Sequence, residues 1–264
     1  MSKKLLSFLL ILTVIFSCVP EEESDTFWNN IEVNSGYTPF AFVFSNTTIP
    51  TCADYAQPKL NEVLNGEING ISTGEVNGCM MYPSISDPLY SNIAEELKFL
   101  FDQNGNNTLN SVPAYVNNLT CHNLDSTAWH NSIKSSIEES PVVKLGIKTT
   151  PSGNQIKVYV KGEYTNSVSG HTVAVYAYRK SEQANQETNN GTELFSVKNK
   201  IYTSLTPTVG RSLNSNSSGQ QFREIFTLTT DGENTDNLGI LAVVYRFVDD
   251  KPTEVLNSIS IEDL

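Results

Sequence analysis

The chain of 264 residues carries 17 Lys and Arg against 29 Asp and Glu, a formal charge of −12, with 39% hydrophobic and 17% charged residues. That length fits one large or two ordinary domains with enough apolar material for a core, and the composition excludes a wholly disordered chain. The acidic balance argues against electrostatic binding to nucleic acid or to anionic lipid surfaces, so no nucleic-acid partner is expected.

Residues 1–17 (MSKKLLSFLLILTVIFS) open with Lys3 and Lys4 and continue as an apolar run from Leu5 to Phe16, broken only by Ser7 and Thr13. The run is shorter than the roughly 20 residues a spanning helix needs, so it reads as a signal peptide. Cys18 follows at once, and Ile15, Phe16, Ser17, Cys18 resembles a bacterial lipobox, in which an aliphatic residue three places before the Cys and a small residue just before it direct acylation of the thiol and cleavage ahead of it. Phe16 is bulkier than the residue usual at its place. The resemblance implies a lipoprotein carrying covalent lipid, palmitate included, on Cys18, with the bilayer as first partner and no other cofactor. Each buried acyl methylene contributes about 0.8 kcal/mol to such an anchor. Cleavage there removes Lys3 and Lys4 and no acid, leaving the mature chain more acidic. Residues 18–35 begin Cys18, Val19, Pro20, Glu21, Glu22, Glu23 and are read as an acidic tether. Two roles fit it equally: a solvated spacer, or a signal like the acidic clusters that send some lipoproteins to the outer face of the outer membrane.

Residues 36–140 mix short apolar runs with helical periods, an α/β pattern. Thr38–Ser45 (TPFAFVFS) is a strand apolar on both faces. Cys52–Leu64 suits a helix interrupted by Pro58, and Glu67–Val76 a second strand. Asp87–Phe101 is the best helix of the chain, with Asp87 as cap, Pro88 in the first turn and Leu89, Ile93, Leu97 and Leu100 on one face. Val112–Asn118 is a short strand containing Pro113, and Asp125–Glu139 a last helix with Trp129, Ile133 and Ile137 at fourfold spacing.

After Pro141 the pattern becomes alternation broken by Gly, Asn and Ser. Strands are expected at Val142–Lys148, Gln155–Tyr164, Thr172–Arg179, Lys200–Leu205, Gln220–Thr229, Leu238–Val248 and Val255–Ile261, with exposed polar loops at Lys180–Thr192 and Leu213–Gly219. These strands make residues 141–264 an all-β antiparallel sandwich, immunoglobulin-like in class.

The order of elements in 36–140 resembles the thioredoxin fold. In that family a Cys-x-x-Cys stands between the first strand and first helix, where the helix amino terminus favours the attacking thiolate. Here the matching place reads Ile49, Pro50, Thr51, Cys52, so the nucleophile position is Ile49 and only the second Cys remains. The family's cis-proline landmark is matched by Ser111, Val112, Pro113, Ala114, although a trans Pro113 in a simple turn fits the same residues. Under the topology the resemblance implies, any structural disulfide is Cys52 to Cys79, with Cys121 at the far edge of the sheet.

The mature chain as a whole resembles the twenty-eight-kilodalton outer-membrane-protein family, lipid-anchored chains in which a degenerate thioredoxin-like domain precedes a β-sandwich. The resemblance rests on IPTC after the first strand, on Val112 to Asn117 (VPAYVN), and on Ile240–Val248 followed by Glu254, Val255, Leu256, Asn257. It is spread over residues 36–264 without one specific motif. It implies an outer-membrane lipoprotein of the Gram-negative envelope, facing the periplasm or the cell surface, and names no ligand.

Other constellations are weaker. Cys121, His122 and His130 match no zinc spacing and lack a fourth ligand, so no metal is expected. Asp102, Asn104, Asn106 and Thr108 faintly suggest a calcium loop, but Asn107 and Pro113 stand where Gly and Glu belong, and a helix end at Gly105 explains them better. Tyr159, Tyr164, Tyr176, Tyr178 and Tyr245 read as strand packing, the alternative being an exposed platform for sugar or peptide. The expectation is therefore a non-catalytic binding or interaction protein whose partner is an envelope protein, peptide or glycan. The rival is a single-thiol redox or disulfide-handling protein using Cys52 with Pro113.

Overall fold

The computed structural model describes residues 23–103, 113–123, 125–214, 216–249 and 251–264. The expected signal peptide, the expected acylation site Cys18 and most of the Asp102–Thr108 run lie outside the described residues. The chain divides after Ile31, and residues 32–264 form one compact unit. Ahead of that division the expected tether is partly helical. The hydroxyl of Ser24 accepts from the Phe27 amide at 3.2 Å and starts α1 (Asp25–Asn29), in which Trp28 is buried.

The first half of the large unit runs β1 (Phe40–Phe44), a π-helical turn (Cys52–Ala56), α2 (Gln57–Leu64), β2 (Asn77–Met81), α3 (Asn92–Gln103), β3 (Ala114–Asn117), β4 (Thr120–Asn123) and α4 (Ser126–Ile137). β1 and β2 are parallel, β3 is antiparallel to β1, and β4 is antiparallel to β3. Pro58 sits in the first turn of α2, where its missing N–H costs nothing, and the chain ahead of it opens into the wider π turn. Two expectations are corrected. Glu67–Val76 is not a strand, because Gly66, Gly70 and Gly74 at φ 68°, 86° and 85° turn the backbone repeatedly; the strand begins only at Asn77. Asp87 does not cap α3, which starts five residues later; its carboxylate serves the loop after β1 instead. By contrast Asp125 caps α4 by accepting from Ala128 N at 2.9 Å.

The second half is all strand: β5 (Val143–Ser152), β6 (Gln155–Tyr164), β7 (His171–Thr188), β8 (Gly191–Ser204), β9 (Arg211–Leu213), β10 (Gln221–Thr229), β11 (Leu238–Val248) and β12 (Lys251–Ile261). β10, β6 and β5 form a three-stranded antiparallel sheet, and its apolar face packs on that of β7 and β11 through Leu145, Val158 and Val160 against Val173, Val175 and Val244. The second layer, however, is not a sheet of its own. It belongs to a nine-stranded mixed sheet ordered β12-β11-β7-β8-β2-β1-β3-β4, with β9 beside β7, which joins the two halves through a parallel β2–β8 contact at Met80 and Lys200. The change of element type near Ser140 and Pro141 is therefore not a break in the sheet. Lys180–Thr192, expected as a loop, is the outer part of a long β7–β8 hairpin paired as far as Thr188 and Gly191.

Strand parity sorts the side chains. In β1, Phe40, Phe42 and Phe44 enter one core together with Cys79 and Met81 of β2 and Ile93 and Leu97 of α3, while Ala41, Val43 and Met80 enter another beneath α2 and α4. The first of these cores also contains Tyr176, Tyr178, Leu241, Val243 and Tyr245 from β7 and β11, and the rings of Phe40 and Tyr176 stack at 6.4 Å. One apolar layer thus serves both halves of the sheet.

A buried amide closes this arrangement. Asn257 of β12 is 1% exposed, accepts from Thr38 N and Ser258 N at 2.9 Å, and donates to Val143 O at 2.8 Å and Gly36 O at 3.3 Å. Next to it Asn77 donates to Ser258 Oγ at 2.9 Å and accepts from Ser260 Oγ at 2.7 Å, and Ser258 Oγ donates to Thr38 O at 2.8 Å. Leaving a buried backbone donor or acceptor unsatisfied costs about 1–3 kcal/mol each. Asn257→Leu strands at least Thr38 N–H and Val143 C=O, so urea unfolding is expected to show a loss of about 3 kcal/mol. A variant as stable as the parent would mean that the clasp is decorative.

Candidate functional site

The residues expected at a redox loop are assembled at one sheet edge. Phe44 at the end of β1 is paired with Ala114 at the start of β3, so the loop leaving β1 and the buried Pro113 that precedes β3 meet at that edge. Cys52 opens the π turn, with its amide donating to Ile49 O at 2.9 Å. The thiol is not poised for attack. Cys52 is 2% exposed, and burial pushes its pKa up, outweighing hydrogen bonds from Asn46 and Ser45 that pull it down.

What covers it is the β7–β8 hairpin. Gln186, 4% exposed, directs Nε2 at the loop carbonyls, at 2.9 Å from Thr47 O, 3.2 Å from Ile49 O and 3.3 Å from Asn46 O, and Glu187 N donates to Thr47 O at 2.8 Å. From the other side the buried Asp87 carboxylate accepts from Thr47 N at 2.6 Å, from Thr47 Oγ1 at 3.0 Å and from Leu89 N at 2.8 Å. Farther along, Asn189 donates to Asp54 at 2.7 Å. The root of the hairpin is fixed where Glu182 pairs with Arg179 at 3.2 Å and with Lys200 at 3.0 Å. The loop backbone that a thioredoxin-type enzyme would offer to an extended substrate is thus already hydrogen-bonded to the protein itself.

The expected Cys52–Cys79 disulfide is not formed. Cys79 lies in the middle of β2 and points into the phenylalanine core, whereas Cys52 belongs to the core beneath α2 and α4, so the sheet stands between the two sulfurs. Cys79 is fully buried and its pKa is raised by that burial alone. Cys121, half-buried on β4, is opposite Val116.

The histidines do not assemble a metal centre, and among the described residues no cluster of three His, Cys, Asp or Glu side chains is suited to a metal ion. His122 pairs across the strands with Tyr115, and His130 lies against Trp129 with ring centroids 5.4 Å apart. His171 is buried, with Nε2 2.6 Å from the Tyr164 hydroxyl. Burial lowers the pKa of all three histidines, and for His171 Arg246 adds to the lowering. The aromatic platform is likewise overturned: Tyr159, Tyr164, Tyr176, Tyr178 and Tyr245 are all buried, so none offers a face to a ligand.

One open concavity was not signalled by any motif. Beyond Met80 and Lys200, β2 and β8 part, and a cleft of about 500 Å³ opens along the seam between the halves, lined by Val76–Cys79 of the first and by Asn199, Leu241 and Ile259–Ser260 of the second. Its rim carries Asn34, Thr73 and Glu262, the last accepting from Tyr178 OH at 3.2 Å. Pairing between strands distant in sequence creates it, so no local pattern could have revealed it.

The chain matches no protein-family model and no curated protein. Among solved structures it is similar to HBP35 of Porphyromonas gingivalis, with a TM-score of 0.68 and 15% identity over 88% of this chain and 76% of that one. It is also similar to a structural-genomics target from Agrobacterium tumefaciens, with a TM-score of 0.54 and 12% identity over 86% and 95% of the two chains. A domain of the outer membrane lipoprotein Omp28 from Porphyromonas gingivalis aligns over 46% of this chain and 88% of its own at 15% identity, but with a TM-score of 0.30 the match does not bear on the fold. At these identities the first two likenesses concern the fold alone.

Two outcomes are expected from this geometry. In native protein at pH 7, a thiol reagent should modify Cys121 first and Cys52 and Cys79 only on unfolding, and Gln186→Ala should speed modification of Cys52 selectively by uncovering the loop. Rapid labelling of Cys52 in the parent would contradict the burial. The histidines set a pH dependence: their folded pKa values lie below the ordinary 6.5, so below that pH the unfolded chain binds more protons and stability falls with acid. Urea midpoints from pH 7.5 to 5.5 should decline, and less steeply in His171→Asn.

Proposed function

We propose that this chain is a lipoprotein anchored at the outer membrane through acylated Cys18, and that it works there as a non-catalytic binding or interaction protein. In this reading the first half is a degenerate thioredoxin-like domain kept as scaffold, joined to an immunoglobulin-like sandwich that completes its sheet. The observation that carries it is the burial of Cys52 behind a loop whose carbonyls Gln186 holds, with Ile49 at the nucleophile place. Disulfide exchange needs an attacking thiolate and a resolving thiol within reach, and here the thiol at the loop is desolvated and, among the described residues, has no thiol neighbour on its face of the sheet. The anchor rests on the apolar leader and the Ile15–Cys18 string. Among the described residues no helix is long and apolar enough to cross a membrane, so in this reading acyl chains supply the attachment.

The single-thiol redox reading retains one observation, the meeting of Pro113 and the Cys52 loop at one sheet edge. It requires the hairpin to lift and Gln186 to release the loop carbonyls.

Two assays separate the readings. Cells fed an alkynyl palmitate should yield a labelled chain that loses its label in Cys18→Ser, and membrane fractionation should move that variant off the outer membrane. Purified protein should reduce insulin disulfides no faster than the dithiol reductant alone, with Cys52→Ser unchanged. Turnover abolished by Cys52→Ser would overturn the non-catalytic reading while leaving the anchor untouched.

A further inference from the structure

The seam cleft has the chemistry of a site rather than of a packing defect. Its volume of about 500 Å³ falls within the roughly 300–1,000 Å³ common for small-molecule sites. It exists because β2 and β8 share a register at Met80 and Lys200 and then diverge, so that the ladder does not fill the space. At its edge stands Asn199, held in the left-handed region at φ 51°, a conformation that side chains seldom adopt and that Asn tolerates better than most. Its Nδ2 donates to Gly78 O at 3.2 Å, which leaves Oδ1 as an acceptor at the cleft. Across from it, Glu262 accepts from Tyr178 OH with Oε1 and keeps a second oxygen for another donor. Thr73 Oγ1 donates to Asn65 O at 2.9 Å and keeps its lone pairs, and Asn34, whose Oδ1 accepts from Gly36 N at 3.0 Å and whose Nδ2 donates to Thr38 Oγ1 at 3.5 Å, keeps a second amide hydrogen; both residues are exposed at the rim.

Beneath these polar groups lie Leu64 and Ile259, half-buried aliphatic side chains that form a small apolar floor. Tyr178 is too buried to stack on a ligand and contributes through its hydroxyl alone. Among the described residues no Lys or Arg lines the cleft, and its one charge is the Glu262 carboxylate. An anionic ligand would meet the Glu262 carboxylate with no counter-charge among the lining residues, the Lys180 ammonium being held outside them on Glu262 O at 3.1 Å, and a purely apolar one would strand the amides and carboxylate.

We infer that the cleft between β2 and β8 binds a neutral saccharide, with Asn199, Thr73, Asn34 and Glu262 hydrogen-bonding its hydroxyls and Leu64 and Ile259 packing against its C–H face. A sugar of this class presents many hydroxyls that both donate and accept, as the rim requires, together with an apolar ring face that suits an aliphatic floor. The inference deepens the binding reading above, yet its test is independent of the thiol assays. Reductase activity would sink that reading without touching the cleft, and loss of sugar binding would sink the cleft without reviving the thiol.

The test is titration of the full detergent-solubilised chain by ligand-observed NMR and calorimetry with chitobiose and maltose as neutral probes and glucose 6-phosphate as the anionic one. At least one neutral disaccharide should bind, and glucose 6-phosphate should bind about tenfold more weakly or not at all. Asn199→Gly relieves the left-handed backbone, so the fold is retained, and it should weaken the neutral sugar about tenfold, the effect of one lost hydrogen bond. Glu262→Gln, checked for an unchanged urea midpoint, should narrow the gap between neutral and anionic sugars. Failure of both disaccharides to bind, equal binding of the phosphate, or affinity indifferent to both substitutions would overturn the assignment.

Discussion

Everything in this molecule depends on one apolar layer being used twice. Phe40, Phe42 and Phe44 on the first strand and Tyr176, Tyr178 and Tyr245 on strands far along the chain occupy the same core, although the two sets sit in different halves of a single sheet. Ile93, Ala94 and Leu97 of α3 pack on the same layer. Aromatic side chains each bury on the order of 150–250 Å² on packing, and at about 25 cal/mol per Å² their shared burial outweighs any single hydrogen bond in the clasp. The polar contacts set the register of that contact: Asn257, Ser258 and Asn77 fix which residues meet, because a slip of one residue would leave buried amides without partners.

The same economy bears on the loop that leads from β1 into the π turn. A thioredoxin-type loop is reactive because its backbone and first thiol face solvent. Here β7 and β8 are extended well beyond the body of the second half, and their outer part brings Gln186 and Glu187 onto that loop. Val197 of β8 enters the core beneath α2 and α4, and Ala184 of β7 packs against it. Ile49 fits this coverage, since its apolar side chain packs against the core beneath α2 and α4.

Much of this architecture is legible in the sequence, and the misses have definite causes. β6 and β11 begin and end at the residues their alternation marks, and the helix bearing Trp129 and Ile133 is found with its Asp125 cap. The hairpin tip is missed because KSEQANQET is polar on both faces; it is a strand by continuation of register, not by burial, and only Gln186 within it is buried. The Cys52–Cys79 pairing is misjudged through an offset. A strand ending at Val76 would leave Cys79 in the following loop, whereas a strand starting at Asn77 puts it mid-strand and facing the opposite core. β4 is too short and polar to register as a strand, and the seam cleft depends on contacts between residues more than a hundred positions apart.

The clasp also orders events in time. Ser258 and Thr38 are joined across 220 positions, and Asn77 meets Ser258 across 181, so the beginning of the folded body is finished by one of the last strands to be made. Pairings this distant form slowly, because the intervening chain must be closed into a loop before any contact rewards it. A nascent chain lacking its final dozen residues exposes Thr38, Asn77 and the phenylalanine face together. A chain held extended while it elongates would therefore stay threadable until β12 is made, and only then could the clasp close on Thr38 and Asn77.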